Sequence, residues 1–216
     1  MSEAQKRLRP SLVGYPANFL VAGRRCLVVG AGRIARRKIE GLLTANADVV
    51  VVAPEAVDQI RVWASEGKLT WHERGFEPTD LDEAWLAITA TADAAVNQSV
   101  FDEGEARRVW TNSADDPINC SFTLMSIIRR GDIVVTVSTN GRSPALATFL
   151  RDHVATEMGE EYATLLEILS EAREAIRSSG RSSEDADWRQ AFDSGILDLV
   201  RGGREAEARE LLRSCL

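Results

Sequence analysis

The tightest constraint on what this chain can fold into is Gly30-Ala31-Gly32-Arg33-Ile34-Ala35 in its local setting. An apolar run, Cys26-Leu27-Val28-Val29, comes just before it. After it, Ile34 to Ala45 carries apolar residues at 34, 35, 39, 42 and 43, the stripe of an amphipathic helix. Strand, glycine turn and helix in that order let the backbone approach a phosphate closely. The unpaired N–H groups of the first helical turn then face it. A plain strand-to-helix turn needs one glycine, so the second, Gly32, favours a dinucleotide's pyrophosphate over the glycine turn. Asn46 fits the left-handed residue that ends such a helix.

The pattern repeats downstream. Val49-Val50-Val51-Val52 is β-branched throughout, which suits a strand covered on both faces of a parallel sheet. Ala56 to Glu66 reads as helix, Leu69-Thr70-Trp71 as a short strand and Trp85 to Thr89 as a buried strand. Ala94 to Arg107 reads as helix, and Val109-Trp110-Thr111 closes the series. Alternating β and α elements predict an α/β fold, a Rossmann-type doubly wound parallel sheet. After Pro117 the pattern changes. Ser121 to Met125 and Asp132 to Ser138 read as two strands around a turn at 129–132, with a helix from Ser143. The tail from Glu157 is helical in composition, broken at Ser178-Ser179-Gly180 and Gly202-Gly203.

Composition narrows the function classes. Among 216 residues, 44% are hydrophobic, and no run of about 18 apolar residues is present, so no membrane span is expected. The polar N-terminus lacks the apolar stretch of a secretory signal, which predicts a cytoplasmic protein. Three cysteines far apart and two histidines make neither a disulfide framework nor a fixed zinc site, so no resident metal is expected. A net charge of -7 argues against nucleic-acid binding. Residues 157–216 hold 14 acidic and 8 basic side chains, against 19 and 18 elsewhere, so the acidity belongs to the tail and the body can accept an anionic ligand.

Three further places carry chemistry. The second strand of a dinucleotide fold normally ends in an acid that bonds the ribose hydroxyls. Here it ends in Ala53-Pro54, with Glu55 two residues late, so Glu55 is either the ribose partner or the start of the next helix. Arg33 in the turn either favours an extra phosphate or is solvated; the balance leans to NAD over NADP. The loop Asn112-Ser113-Ala114-Asp115-Asp116-Pro117 lies beyond a strand's carboxyl end, where open α/β sheets bind ligands. Its paired carboxylates suit proton transfer or, equally, a capped turn. Ser143-Pro144 is a good helix start. Capping does not explain Thr139, Asn140 and Arg142 before it, and together these residues suit a second anion site.

The ordered set Tyr15-Pro16, Gly23-Arg24, Val28 to Gly32, Ala35 to Lys38 and Val51 to Pro54 continues through Ala87 to Thr91, Val96-Asn97, Asn112, Asp115, Pro117 and Ser143-Pro144. This set resembles the precorrin-2 dehydrogenase family, also found as the N-terminal half of siroheme synthase. The likeness covers roughly residues 12–154. It implies NAD-dependent oxidation of precorrin-2 to sirohydrochlorin, with ferrous iron or cobalt as a further substrate in relatives that also chelate. It implies Asp115 as the general base and cofactor contacts at Arg33, Ile34, Pro54, Glu55 and Thr91, with Asn112 and Ser113 lining the same cleft. Thr139 falls on a serine position that carries phosphate in some bifunctional relatives. The resemblance also implies a homodimer built through the middle of the chain. The expected division is therefore an NAD-binding domain over 1–115, an α+β dimerisation segment over 116–153 and a helical C-terminal domain over 154–216. No methyltransferase half follows, so a trifunctional enzyme is not expected. Two other classes compete: a non-catalytic NAD-sensing module, which leaves the 112–117 and 139–144 loops without a purpose, and a dehydrogenase for an unrelated small substrate.

Overall fold

The computed structural model describes residues 14–114, 116–184 and 186–216. Its contacts divide the chain into two compact units, Met1–Leu124 and Met125–Leu216. In the first, β1 (Arg25–Val29) leads through the glycine turn into α1 (Arg33–Thr44). The chain continues as β2 (Asp48–Val52), α2 (Asp58–Ser65), β3 (Thr70–His72), β4 (Leu86–Thr89), α3 (Ala94–Arg107) and β5 (Trp110–Ser113). All the pairings are parallel, in the order β3-β2-β1-β4-β5. The order reverses beside β1, so the crevice lies between the carboxyl ends of β1 and β4.

Alternation along the strands sends side chains to two cores. Cys26, Val28, Val49, Val51 and Ile88 meet Ala35, Ile39 and Leu42 of α1 and Ile60 of α2. Leu27, Val29, Val50, Val52 and Ala87 meet Val100 of α3 and Leu81 on the other face. Two such faces explain why the four valines of β2 run on without a polar residue between them. Burial, with a smaller effect from Asp48, pushes the Cys26 thiol up to about 11, which makes it inert. Gly104 of α3 has Thr111 so close that an added methyl would overlap its hydroxyl, which keeps α3 tight on β5.

Local chemistry sets the element ends. Asn46 is left-handed, φ 55°. Its N–H donates to Leu43 O and that of Ala47 to Leu42 O, the paired bonds of a Schellman stop. Asp93 caps α3, accepting from the N–H groups of Ala95 and Val96. A 3-10 turn, Pro78–Leu81, carries the buried Asp80, bidentate to Arg74 at 2.6 and 2.8 Å. Burial opposes ionisation of Asp80, but the Arg74 guanidinium and the Glu77 N–H outweigh it. Its carboxyl therefore sits below the ordinary carboxylate value.

Three expected boundaries move. The helix expected from Ala56 begins at Asp58, because the Val57 N–H is taken by Ala31 O at 3.0 Å. The strand expected to stop at Thr111 runs on to Ser113, held by β4 on one side and by an antiparallel bridge from Asn112 to Cys120 on the other. Ser121 to Met125 is not a strand. Phe122 is drawn against Phe19 in the first unit, at 5.7 Å between ring centroids, and its carbonyl accepts from Asn112.

In the second unit β6 (Ser126–Arg130) and β7 (Ile133–Val137) form an antiparallel hairpin. Gly131 makes its turn at φ 53°. The basic pair Arg129-Arg130 therefore ends a strand instead of making the turn. There follow α4 (Pro144–Glu157), α5 (Glu161–Ser178), α6 (Trp188–Asp193), α7 (Ile196–Arg201) and α8 (Glu205–Cys215), with the breaks at 178–180 and 202–203 as expected. The last four helices enclose Leu165, Ile168, Ala191, Ile196, Val200, Ala208 and Leu212. Arg130 caps the end of α4, donating to Met158 O at 2.6 Å and Ala155 O at 3.1 Å. Among the described residues no helix is long and apolar enough to cross a membrane.

Candidate functional site

The glycine turn is built by close packing at the crevice. Gly30 has φ 102°, and a β-carbon there would lie 2.7 Å from Ala90 O. Its N–H donates to Val52 O, and the Ala90 N–H donates to Val29 O, so β2 and the β4 loop grip the turn from both sides. Gly32 differs: its backbone is extended, φ -83°, and nothing lies within 4 Å of an added β-carbon. It precedes α1 without a side-chain cap, and no acid occupies the first turn. Arg33 and Ile34 are exposed beside it. An uncapped, open, positively polarised helix start with room above the backbone fits a dinucleotide's pyrophosphate.

The loop after β2 is also fixed. Trp71 Nε1–H donates to Ala53 O at 3.0 Å, and Arg61 Nε–H to Ala56 O at 2.9 Å. The Arg61 guanidinium lies 4.8 Å over the Trp71 ring. With Val57 tied to Ala31, the loop leaves Pro54 and Glu55 exposed. Glu55 lies three residues before Asp58, the first residue of α2.

On the β4 side Asn97 organises the loop. Its Oδ1 accepts from the hydroxyls of Thr89 and Thr91, the latter at 2.8 Å, and its Nδ2 donates to Thr91 O at 3.1 Å. The Thr91 hydroxyl also accepts from the Asp93 N–H. Thr91 thus serves the loop with its hydroxyl, while its methyl lies against Gly30.

At β5 the expectation of a polar loop at Asn112 and Ser113 is corrected. Both are buried strand residues. The Asn112 amide donates to Phe122 O at 2.9 Å, a structural bond that comes from ten residues on. The Ser113 hydroxyl is buried with no hydrogen-bond partner among the described residues. Asp115 lies outside the described residues. Asp116 is committed: its carboxylate accepts from Ile118 N–H at 3.0 Å and Asn119 Nδ2 at 3.1 Å, capping the 3-10 turn Pro117–Asn119.

In the second unit, Asn140 (φ 52°) and Gly141 (φ 72°) make a tight left-handed turn closed by Arg142 N–H to Thr139 O. The Thr139 hydroxyl accepts from Ser143 N–H and donates to Ser143 O, and the Ser143 hydroxyl caps α4 by accepting from Leu146 N–H. Of this set the Asn140 and Arg142 side chains are exposed, while Thr139 and Ser143 are half-buried. Among the described residues no group of three His, Cys, Asp or Glu side chains could hold a metal ion.

Sequence reasoning assigned no role to Trp71, Arg61 or Cys120. The first two act on carbonyl groups, which leave no mark on residue type. The Cys120 thiol meets Ser113 N–H at 3.3 Å and Ser113 O at 3.3 Å, a contact that depends on the chain folding back after Pro117.

Residues 18–126 match a family model described as NAD(P)-binding. The chain is 35% identical over 203 residues to a siroheme synthase of Nitrosococcus oceani, covering 93% of this chain and 43% of that protein. It is 37% identical over 203 residues to a siroheme synthase of Methylobacillus flagellatus, covering 93% of this chain and 44% of that one. The chain thus spans less than half the length of these curated relatives. Among solved structures, SirC, a precorrin-2 dehydrogenase, superposes with a TM-score of 0.77 at 26% identity, covering 93% of this chain and all of that one.

Proposed function

The chain belongs to the NAD(P)-binding family, and from that premise we propose that it oxidises precorrin-2 to sirohydrochlorin with NAD as acceptor, a step of siroheme biosynthesis. The observation that carries the cofactor half is the uncapped α1 start at Gly32, open above the backbone and gripped from below at Gly30. The substrate half rests on the likeness to SirC over nearly the whole chain.

When bound, NAD accepts a hydride from the substrate. The chain's residues do the rest. Gly30 and Gly32 with the N–H groups of Arg33 and Ile34 hold the pyrophosphate. Glu55 bonds the ribose hydroxyls beside Pro54, and a carboxylate there repels a 2′-phosphate, which favours NAD over NADP. Thr91 packs against the turn, and Asn112 and Ser113 fix the end of β5. Asp115 takes the proton that the substrate gives up. Asp116 cannot share that task without abandoning its cap. In the second unit, Arg142 with Asn140 binds substrate carboxylates on a turn that Thr139 and Ser143 hold in shape. Two chains associate through residues 117–153.

Anaerobic incubation with precorrin-2 and NAD, followed by the sirohydrochlorin absorbance, tests the reading. Conversion is expected. NAD binding without conversion overturns it in favour of a sensing module. Asp115→Ala should abolish turnover with NAD affinity kept, while Asp116→Ala lowers stability and keeps turnover; the reverse pattern sinks the base assignment. Ferrous iron or cobalt supplied with sirohydrochlorin tests metal insertion separately, with the metal as substrate.

A further inference from the structure

The loop from Ala53 to Val57 is held more firmly than a connection between a strand and a helix requires. Three hydrogen bonds to three elements fasten it: Trp71 Nε1–H of β3 donates to Ala53 O, Arg61 Nε–H of α2 donates to Ala56 O, and the loop's own Val57 N–H donates to Ala31 O of the glycine turn. The first two donors also hold each other, since the Arg61 guanidinium lies over the indole face of Trp71. The two residues left exposed inside these anchors are Pro54 and Glu55.

We propose that Trp71 and Arg61 are positioning residues for the adenosine end of the bound dinucleotide. They fix the Ala53–Val57 loop so that the Glu55 carboxylate meets the ribose hydroxyls and turns away a 2′-phosphate. The inference rests on the reading that this chain binds NAD at the glycine turn. The acid sits three residues beyond Val52, the end of β2, where the strand's own hydrogen bonds no longer hold it. The indole and guanidinium donors supply the constraint that strand pairing provides in a fold whose acid closes the strand. Neither residue touches the cofactor; both act through backbone carbonyls.

The test measures NAD and NADP dissociation constants by calorimetry for the wild type, Trp71→Phe, Arg61→Ala and Glu55→Gln, with thermal unfolding alongside. Trp71→Phe keeps the ring and removes the donor. Arg61→Ala is a surface change that keeps the fold if the indole change does not. Each should weaken NAD about fivefold, the worth of one net hydrogen bond, and leave NADP affinity equal to or above the wild type's as the repulsion of its 2′-phosphate eases, so the NAD/NADP preference falls toward that of Glu55→Gln. A merely structural role would lower the unfolding temperature and both affinities together, which would overturn the proposal. So would a preference that survives both substitutions. A wild type that binds neither dinucleotide overturns the cofactor reading itself. One that binds both equally, with Glu55→Gln unchanged, removes Glu55 from the ribose and this inference with it.

Discussion

Gly30 and Gly32 stand two residues apart, yet the structure assigns them different duties, and alanine at each should separate those duties. At Gly30 the backbone is left-handed, φ 102°, and an alanine methyl would sit 2.7 Å from Ala90 O and 2.9 Å from Ala90 C. A side chain in that backbone region costs roughly 1–3 kcal/mol, and overpacking against a backbone that cannot rotate away adds a similar ~1–3 kcal/mol, so Gly30→Ala should destabilise by about 2–6 kcal/mol. That is a large part of the ~5–15 kcal/mol typical of a domain. At Gly32 the backbone is ordinary and the space is empty, so Gly32→Ala should cost under about 1 kcal/mol of stability, chiefly at the helix start. Its methyl, however, enters the approach to the first-turn N–H groups, and NAD affinity should fall roughly tenfold or more. Urea unfolding followed by tryptophan fluorescence reads the first effect well, because Trp63, Trp71, Trp85 and Trp110 all lie in the first unit. Calorimetric NAD binding reads the second. A Gly30→Ala protein as stable as wild type, or a Gly32→Ala protein that binds NAD undiminished, would refute the geometric argument.

Two further outcomes follow from the charge-assisted hydrogen bonds of Asp80 and Arg130. The Asp80 carboxyl titrates below its unfolded value, so its contribution is fully present above about pH 4 and is lost as the pH falls through the lower folded value. Asp80→Asn should therefore flatten the acid limb of a urea-midpoint-against-pH curve, and an unchanged limb would rule Asp80 out as its source. Arg130→Ala removes charged donors from Met158 O and Ala155 O, which should cost about 1–3 kcal/mol in the second unit and leave NAD affinity at the wild-type value. A changed affinity would contradict that separation.

The parts of the fold legible in sequence were those fixed by local chemistry. The glycine turn, the all-valine strand, the Asn46 stop and the Ser143 cap each declare themselves within a few residues. What sequence missed was decided at a distance. Asn112 and Ser113 are polar, and polar residues after a strand read as loop. They are strand because β4 and Cys120 pair with them. Ser121 to Met125 reads as strand by composition, yet Phe122 has a partner in Phe19, more than a hundred residues earlier. The candidate site divides the same way. The turn could be named from its residues, whereas the loop anchors at Trp71 and Arg61 bond to carbonyl groups that every residue type carries.

The strand order has a consequence for how the chain is made. β1 lies inside the sheet, hydrogen-bonded to β2 and β4. Its second partner, Leu86–Thr89, follows it by more than fifty residues. At a synthesis rate of ~5–20 residues per second, the apolar run Leu27-Val28-Val29 waits roughly 3–11 s with one edge unpaired. During that interval the emerging chain displays an apolar strand with an open edge, which favours pairing with neighbouring chains.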